Sequence, residues 1–194
     1  MSRIIGLTGG IATGKTTVSR YLAQKYHLPI LDADLYAREA VAMDSPILQA
    51  IYQRYGDAVK LPDGNLNRQA LGKIIFTQPQ EKDWLESQIH PYVRAKFISE
   101  VATLTNPIIV LVIPLLFEAN MTDLVNEIWV VTCEESSQIE RIQTRDGLSK
   151  SEAIARINNQ LPLETKIAAA DLILNNTDNL DNLYKQIDAV ISVN

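Results

Sequence analysis

Gly9-Gly10-Ile11-Ala12-Thr13-Gly14-Lys15-Thr16 follows an apolar run over residues 3–7 and precedes Val18, Tyr21 and Leu22, spaced i, i+3, i+4. The octet fits G-x-x-x-x-G-K-[ST], and it sits between a predicted buried strand and a predicted helix, the setting this motif requires. Each residue type in it has a physical reason. The glycines let the backbone turn until several N–H groups face one concavity. A helix opening near Lys15 adds its positive end. The Lys15 ammonium supplies a point charge for β- and γ-phosphates, and the Thr16 hydroxyl is placed to ligate Mg²⁺. The bland alternative is a glycine turn carrying a surface lysine.

Outward from this loop the strand signals recur. Residues 28–31, 108–113, 128–132 and 172–174 are short apolar runs, and 108–113 and 128–132 are rich in β-branched residues. Amphipathic stretches over 136–145 and 149–159, with a break at Gly147, lie between the last two runs, and a third over 180–193 closes the chain. Strands alternating with helices predict an α/β fold with a parallel sheet covered on both faces. Residues 34–104 change character and read as helical throughout. Ser45-Pro46 is an N-cap and first-turn pair, Asn67 caps a helix carrying Leu71, Ile74 and Ile75, and Pro91 opens a helix reaching Leu104. Pro62-Asp63-Gly64-Asn65 is a turn between helices. Tyr52, Tyr55, Phe76 and Trp84 have spacings suited to helix packing, and His27 reads as a loop residue.

The chain has 194 residues, 46% of them hydrophobic, which fits one globular domain with an inserted subdomain and excludes a disordered or fibrous chain. Eighteen basic against 23 acidic residues give a net charge of −5. That argues against a general nucleic-acid binder, which needs a basic face. A local basic pocket for a small anion is compatible with it. The single cysteine, Cys133, excludes an internal disulfide and reads as a small buried residue. The longest apolar run, residues 108–117 interrupted by Pro114, is too short to span a bilayer, and the apolar start is too short for a signal peptide. The expectation is a cytoplasmic protein with no membrane contact.

Three classes of nucleotide protein compete: a small-molecule kinase, a regulatory GTPase and a switch or remodelling ATPase. The chain lacks the Asn-Lys-x-Asp of a guanine site, and the run ending at Ile113 is followed by Pro114 with no acid before Glu118. Two clusters favour the kinase. Asp32-Ala33-Asp34 follows the second strand, where open α/β sheets bind ligands. On an extended segment its carboxylates share a face roughly 6.5–7 Å apart. One is then placed to hold a Mg²⁺-bound water while the other takes a proton from a hydroxyl. The competing reading makes Asp34 a helix N-cap. Arg141 and Arg145, at i and i+4, lie on one helix face with no acid placed to pair both, and a glycine hinge follows. They suit a moving lid that clamps transferring phosphate. The competing reading is a solvated helix face.

With these residues in view, the chain resembles the dephospho-coenzyme A kinase family over almost its whole length. The opening LTGGIATGKTTV is similar to the family's LTGGIGSGKST. Asp32-Ala33-Asp34 with Arg38 resembles DAD-x-x-AR, and Ile89-His90-Pro91 matches the His-Pro of the inserted domain. Residues 113–118 match IPLLFE, and Gln138, Arg141, Arg145 and Asp146 resemble Q-x-x-R-x-x-x-RD. Gln160, Lys166, Ala170-Asp171 and Asn176 resemble the closing Q-x5-K-x3-AD…N.

The resemblance implies ATP-dependent phosphorylation of the ribose 3′-hydroxyl of dephospho-CoA, the last step of coenzyme A synthesis. It implies a nucleoside-monophosphate-kinase-like fold with a five-stranded parallel core over about 1–34 and 105–194. A helical CoA-binding insertion would span about 35–104 and a lid about 141–160. Gly9, Gly10, Ile11, Ala12, Thr13, Gly14, Lys15, Thr16 and Thr17 would bind ATP, with Asn176 near its adenine. Thr16 and Asp32 would hold Mg²⁺, Asp34 would be the catalytic base, and Arg38, His90 and Glu118 would line the acceptor side. Lys15, Arg141 and Arg145 would act on the transferring phosphate. The implied partner is the small-molecule substrate alone, for a monomer or small homo-oligomer. Three departures stand out. Ala12-Thr13 replaces the usual Gly-Ser; Val112 stands where some members carry Asp, so the metal site rests on Thr16 and Asp32; and Thr177-Asp178 replaces the glycine after Asn176.

Overall fold

The computed structural model describes residues 2–191. Among them, five strands form one wholly parallel sheet: β1 (Arg3–Gly9), β2 (Ile30–Asp32), β3 (Ile108–Val112), β4 (Glu127–Thr132) and β5 (Leu172–Asn175). Their spatial order is β2-β3-β1-β4-β5, so β1 is central and carries the glycine loop at its carboxyl end. Chain order jumps from one side of β1 to the other between β3 and β4, which makes this end of the sheet the place for a ligand. Nine helices are described: α1 (Lys15–Tyr26), α2 (Ala33–Ala40), α3 (Pro46–Tyr55), α4 (Arg68–Thr77), α5 (Pro79–Thr103), α6 (Glu135–Asp146), α7 (Lys150–Asn158), α8 (Leu163–Ala168) and α9 (Leu180–Ile191). None of them is long and apolar enough to cross a membrane.

The chain divides into two compact units. The first is built on the sheet and comprises the chain up to Asp32 and again from Leu104. Its strands are apolar on both faces because helices cover both. On one side Leu7, Val110, Trp129 and Val131 pack with Val18 and Leu22 of α1 and with Leu183, Ile187 and Ile191 of α9. Those three α9 residues recur every fourth position, one stripe of a helix. Each such side chain removed from water contributes about 1.5–3 kcal/mol. Tyr21 stacks on Tyr184 with ring centres 3.9 Å apart, and Asp188 accepts hydrogen bonds from Tyr21, Tyr26 and Lys25, which ties α9 to α1.

The second unit, Ala33–Thr103, is helical. Its core comprises Val41, Leu48, Ile51, Val59, Leu66, Leu71 and Leu85. The local signals read from the sequence hold here. The Ser45 hydroxyl accepts from Leu48 N–H with Pro46 in the first turn, and Asn67 Oδ1 accepts from Ala70 N–H. Gly64 takes φ +83° in the turn between the helices.

Two expectations are corrected, at Pro91 and at Phe76. Pro91 does not open a helix; it lies inside α5, which begins at Pro79. An interior proline removes a helix hydrogen bond at a cost of roughly 3 kcal/mol. Pro91 is exposed, and buried Leu85, Val93 and Phe97 on either side of it hold the helix through that position. Phe76 is 57% exposed and is not a core residue, whereas Tyr52, Tyr55 and Trp84 pack on the helical core. Residues 163–168 form a helix that has no clear periodic signal. The last helix ends at Ile191, and positions 192 and 193 of the expected span lie outside the described residues.

Candidate active site

The loop leaves β1 at Gly9 and enters α1 at Lys15, with Gly14 as the N-cap residue at φ 109°. Its outer side is held almost carbonyl by carbonyl. Gln138 Nε2 donates to Ile11 O at 2.8 Å. Arg141 donates to Ala12 O at 3.1 Å, Thr13 O at 3.4 Å and Asn176 O at 3.2 Å. Asn176 Nδ2 donates to Thr13 O at 2.7 Å. A peptide unit is planar and trans, so its C=O and the following N–H point in opposite directions. Carbonyls drawn outward at Ile11, Ala12 and Thr13 therefore turn the N–H groups of Ala12, Thr13 and Gly14 inward. The Thr13 amide retains a stretched 3.4 Å contact to Gly10 O. This inward set of amides, at the start of a helix, is an anion-binding concavity.

Two glycines admit the supporting amides. A Cβ on Gly14 would overlap Asn176 Nδ2, and one on Gly10 would come within 2.5 Å of Gln138 Nε2. Asn176 and Gln138 are each 4% exposed. The Lys15 ammonium bonds Gly10 O at 2.7 Å and Gly9 O at 3.1 Å, which seats it on the loop itself. Thr16 is exposed in the first turn of α1. Cys133, at the end of β4, is buried, and burial pushes its thiol up while Arg141 and Lys15 pull it down. A cavity of about 280 Å³ beside the loop is lined by Gly10, Cys133, Gln138 and Gln160, among others.

The aspartate pair is arranged differently from the expectation. β2 ends at Asp32 and α2 begins at Ala33, so the segment is a strand-to-helix switch and not an extended run. Positions i and i+2 across such a switch do not share one face as they would on a strand. Asp34 lies inside the first turn of α2, so it is not the helix cap either. The helix instead puts Asp34 and Arg38, both exposed, on one face at i and i+4. Asp32 stands beside Val112 in register, on the β3 side of the sheet.

The two arginines take different partners. Arg145 does have an acid: Asp146, the last residue of α6, accepts a paired fork from Arg145 Nε at 2.8 Å and its other nitrogen at 2.9 Å. Arg156 joins Asp146 from α7 at 2.7 Å. Adjacent residues on a helix point apart, but a carboxylate in the terminal turn has room to swing back. Arg141 grips loop carbonyls and does not stand free as a finger.

Glu118 is paired with Lys166, a fully buried lysine of α8, at 2.9 Å. Burial raises the Glu118 carboxyl, but hydrogen bonds from Lys166 and from backbone N–H groups, Leu161 among them, outweigh it and leave the group below its usual range. Lys166 also donates to Pro114 O, which accepts from the Thr8 hydroxyl as well. His90 is half-buried in the middle of α5. The loop, Gln138, Arg141, Gln160 and Asn176 are thus brought together in the first unit, while Asp34, Arg38 and His90 belong to the helical one. Gln138 and Gln160 had no role assigned from sequence; only their positions in the family patterns marked them.

Known proteins are similar to this chain over nearly its whole length. A family model described as dephospho-CoA kinase (CoaE) matches residues 3–182. A dephospho-CoA kinase of Trichormus variabilis is 58% identical over 190 residues, which cover 98% of this chain and 97% of that protein. A Thermus thermophilus structure titled TT1252 superposes with a TM-score of 0.84 at 33% identity, covering 98% of this chain and 97% of that one. A dephospho-CoA kinase structure from Campylobacter jejuni gives a TM-score of 0.73 at 28% identity, covering 98% and 96%.

Proposed function

The chain belongs to the dephospho-CoA kinase family, and from that membership we propose that it moves the γ-phosphoryl group of ATP to the ribose 3′-hydroxyl of dephospho-CoA. The products are coenzyme A and ADP. The match over residues 3–182 carries the reading, and the inward amides of the Gly9–Thr16 loop support it with a seat for phosphate.

Phosphoryl transfer passes through a loose transition state, so catalysis is mostly positioning and charge stabilisation. In our reading the loop amides and Lys15 bind the β- and γ-phosphates. Asp34 accepts the proton of the acceptor hydroxyl, and Arg38, on the same face of α2, contacts the acceptor. His90 and Glu118 line the acceptor side, Glu118 as a carboxylate fixed by Lys166. Arg145 acts on the transferring phosphate, and Asp146 and Arg156 form the charge network around it. Arg141 and Asn176 serve the nucleotide through the loop carbonyls they hold.

Mg²⁺ fits the donors present: the Thr16 hydroxyl and the Asp32 carboxylate are hard oxygen ligands, and this ion keeps much of its water and takes few protein ligands. When bound it neutralises phosphate charge. We assign the helical unit Ala33–Thr103 to the acceptor, the α6–α7 helices to the lid, and the enzyme to the cytoplasm.

ADP release, measured with dephospho-CoA and with a panel of nucleosides and nucleotides, tests the reading. Stimulation by dephospho-CoA above every other acceptor supports it. No stimulation at millimolar ATP and Mg²⁺ contradicts it.

A further inference from the structure

Two glutamines stand at the feet of the α6–α7 helix pair. Gln138 lies near the start of α6, and Gln160 follows α7 by two residues. Both reach the same residue of the loop. Gln138 Nε2 donates to Ile11 O at 2.8 Å, and Ile11 N–H donates to Gln160 Oε1 at 2.8 Å.

Each contact fixes the rotation of one peptide. With Ile11 O held toward Gln138, the N–H of Ala12 is turned the other way, into the concavity. With Ile11 N–H held toward Gln160, the carbonyl of Gly10 is turned the other way, where it receives the Lys15 ammonium at 2.7 Å and the Thr13 hydroxyl at 2.9 Å. The pair thus sets the direction of one phosphate donor and the seat of the loop lysine. The contact at Gln138 is close-fitting, since Gly10 admits it only by lacking a Cβ.

We propose that Gln138 and Gln160 are positioning residues for the nucleotide, acting through the two peptides of Ile11 and linking the base of the α6–α7 pair to phosphate affinity. The proposal rests on the reading of Gly9–Thr16 as the ATP site. If the glutamines only filled space, an isosteric apolar side chain would serve equally well.

ATP binding by calorimetry, with Mg²⁺ present, and steady-state kinetics test this on Gln138→Met, Gln160→Met and Gln138→Glu. Each Met variant should weaken ATP about fivefold or more, the worth of one hydrogen bond, while KM for dephospho-CoA stays within about twofold. Gln138→Glu adds a readout that packing alone would not move. Its carboxylate keeps the size of the amide but faces the Ile11 carbonyl acceptor against acceptor, so ATP should bind more weakly still than in Gln138→Met. ATP affinity within about twofold of wild type in the Met variants or in Gln138→Glu overturns the proposal. Gln160→Met, at a half-exposed position, decides alone if substitution of the buried Gln138 prevents folding. A wild-type protein that does not bind ATP would instead overturn the underlying nucleotide reading.

Discussion

The side-chain amide of Asn176 occupies the space that a Cβ on Gly14 would need, and from there it donates to Thr13 O at 2.7 Å. One residue of the phosphate loop is thus a glycine for two separate reasons, its φ of 109° and this close approach. Gly14→Ala should destabilise the protein by about 1–3 kcal/mol from backbone strain, with the overlap added. Removing the amide as well, in Gly14→Ala/Asn176→Ala, should recover the overlap part and leave the strain. Urea unfolding of both singles and the double variant measures this coupling, and strictly additive effects would show that the contact is unimportant.

Arg145→Lys keeps a positive charge but loses the planar fork that now pairs with Asp146. We expect kcat to fall about tenfold or more with little change in KM for dephospho-CoA, because a contact made mainly in the transition state is lost. Arg156→Lys, which alters only the other partner of Asp146, should leave kcat within about twofold. Parallel steady-state kinetics on the two variants separate a phosphate contact from a surface charge network.

The Glu118–Lys166 pair predicts an acid sensitivity with a definite sign. The native Glu118 carboxyl lies below its usual range, so the unfolded chain binds more protons on acidification. The pair's contribution is fully present above the unfolded value of about 4.3 and is lost as pH falls through the native one. Glu118→Gln should flatten this part of the stability profile. It should also cost about 3–5 kcal/mol at neutral pH, since Lys166 is left as an unpaired buried cation. Urea denaturation across an acid pH series gives both quantities.

Asp34→Asn keeps the size and a hydrogen-bond acceptor but removes the negative charge and the proton-accepting role. Turnover should fall roughly 10²–10⁴-fold while ATP affinity stays nearly intact. Calorimetric ATP titration beside a turnover assay separates the two effects. Normal turnover would remove Asp34 as the base and direct attention to Asp32.

What sequence made legible, and what it did not, follows from the range of each interaction. The loop, its flanking strand and helix, and the caps at Ser45 and Asn67 rest on neighbours a few positions away, and local rules reach them. The supports of the loop come from Gln138, Gln160 and Asn176, which lie 127, 149 and 163 positions from the residues they hold. No local pattern announces them; only the family resemblance marked the positions. Pro91 misled because a local rule was applied where packing on both sides of the proline dominates. Asp34 misled because one residue decides whether a strand continues or a helix begins, and Ala33 favours the helix. The pairing of Arg145 was not legible because its acid, Asp146, is the adjacent residue, which helix geometry would normally turn away.

Phosphorus NMR of a complete reaction tests the central claim most directly. With ATP, Mg²⁺ and dephospho-CoA, we predict one new phosphomonoester on the ribose 3′ position, formed in equal amount with ADP. ADP accompanied by inorganic phosphate, with dephospho-CoA unchanged, would mark the protein as a hydrolysing switch and contradict the account.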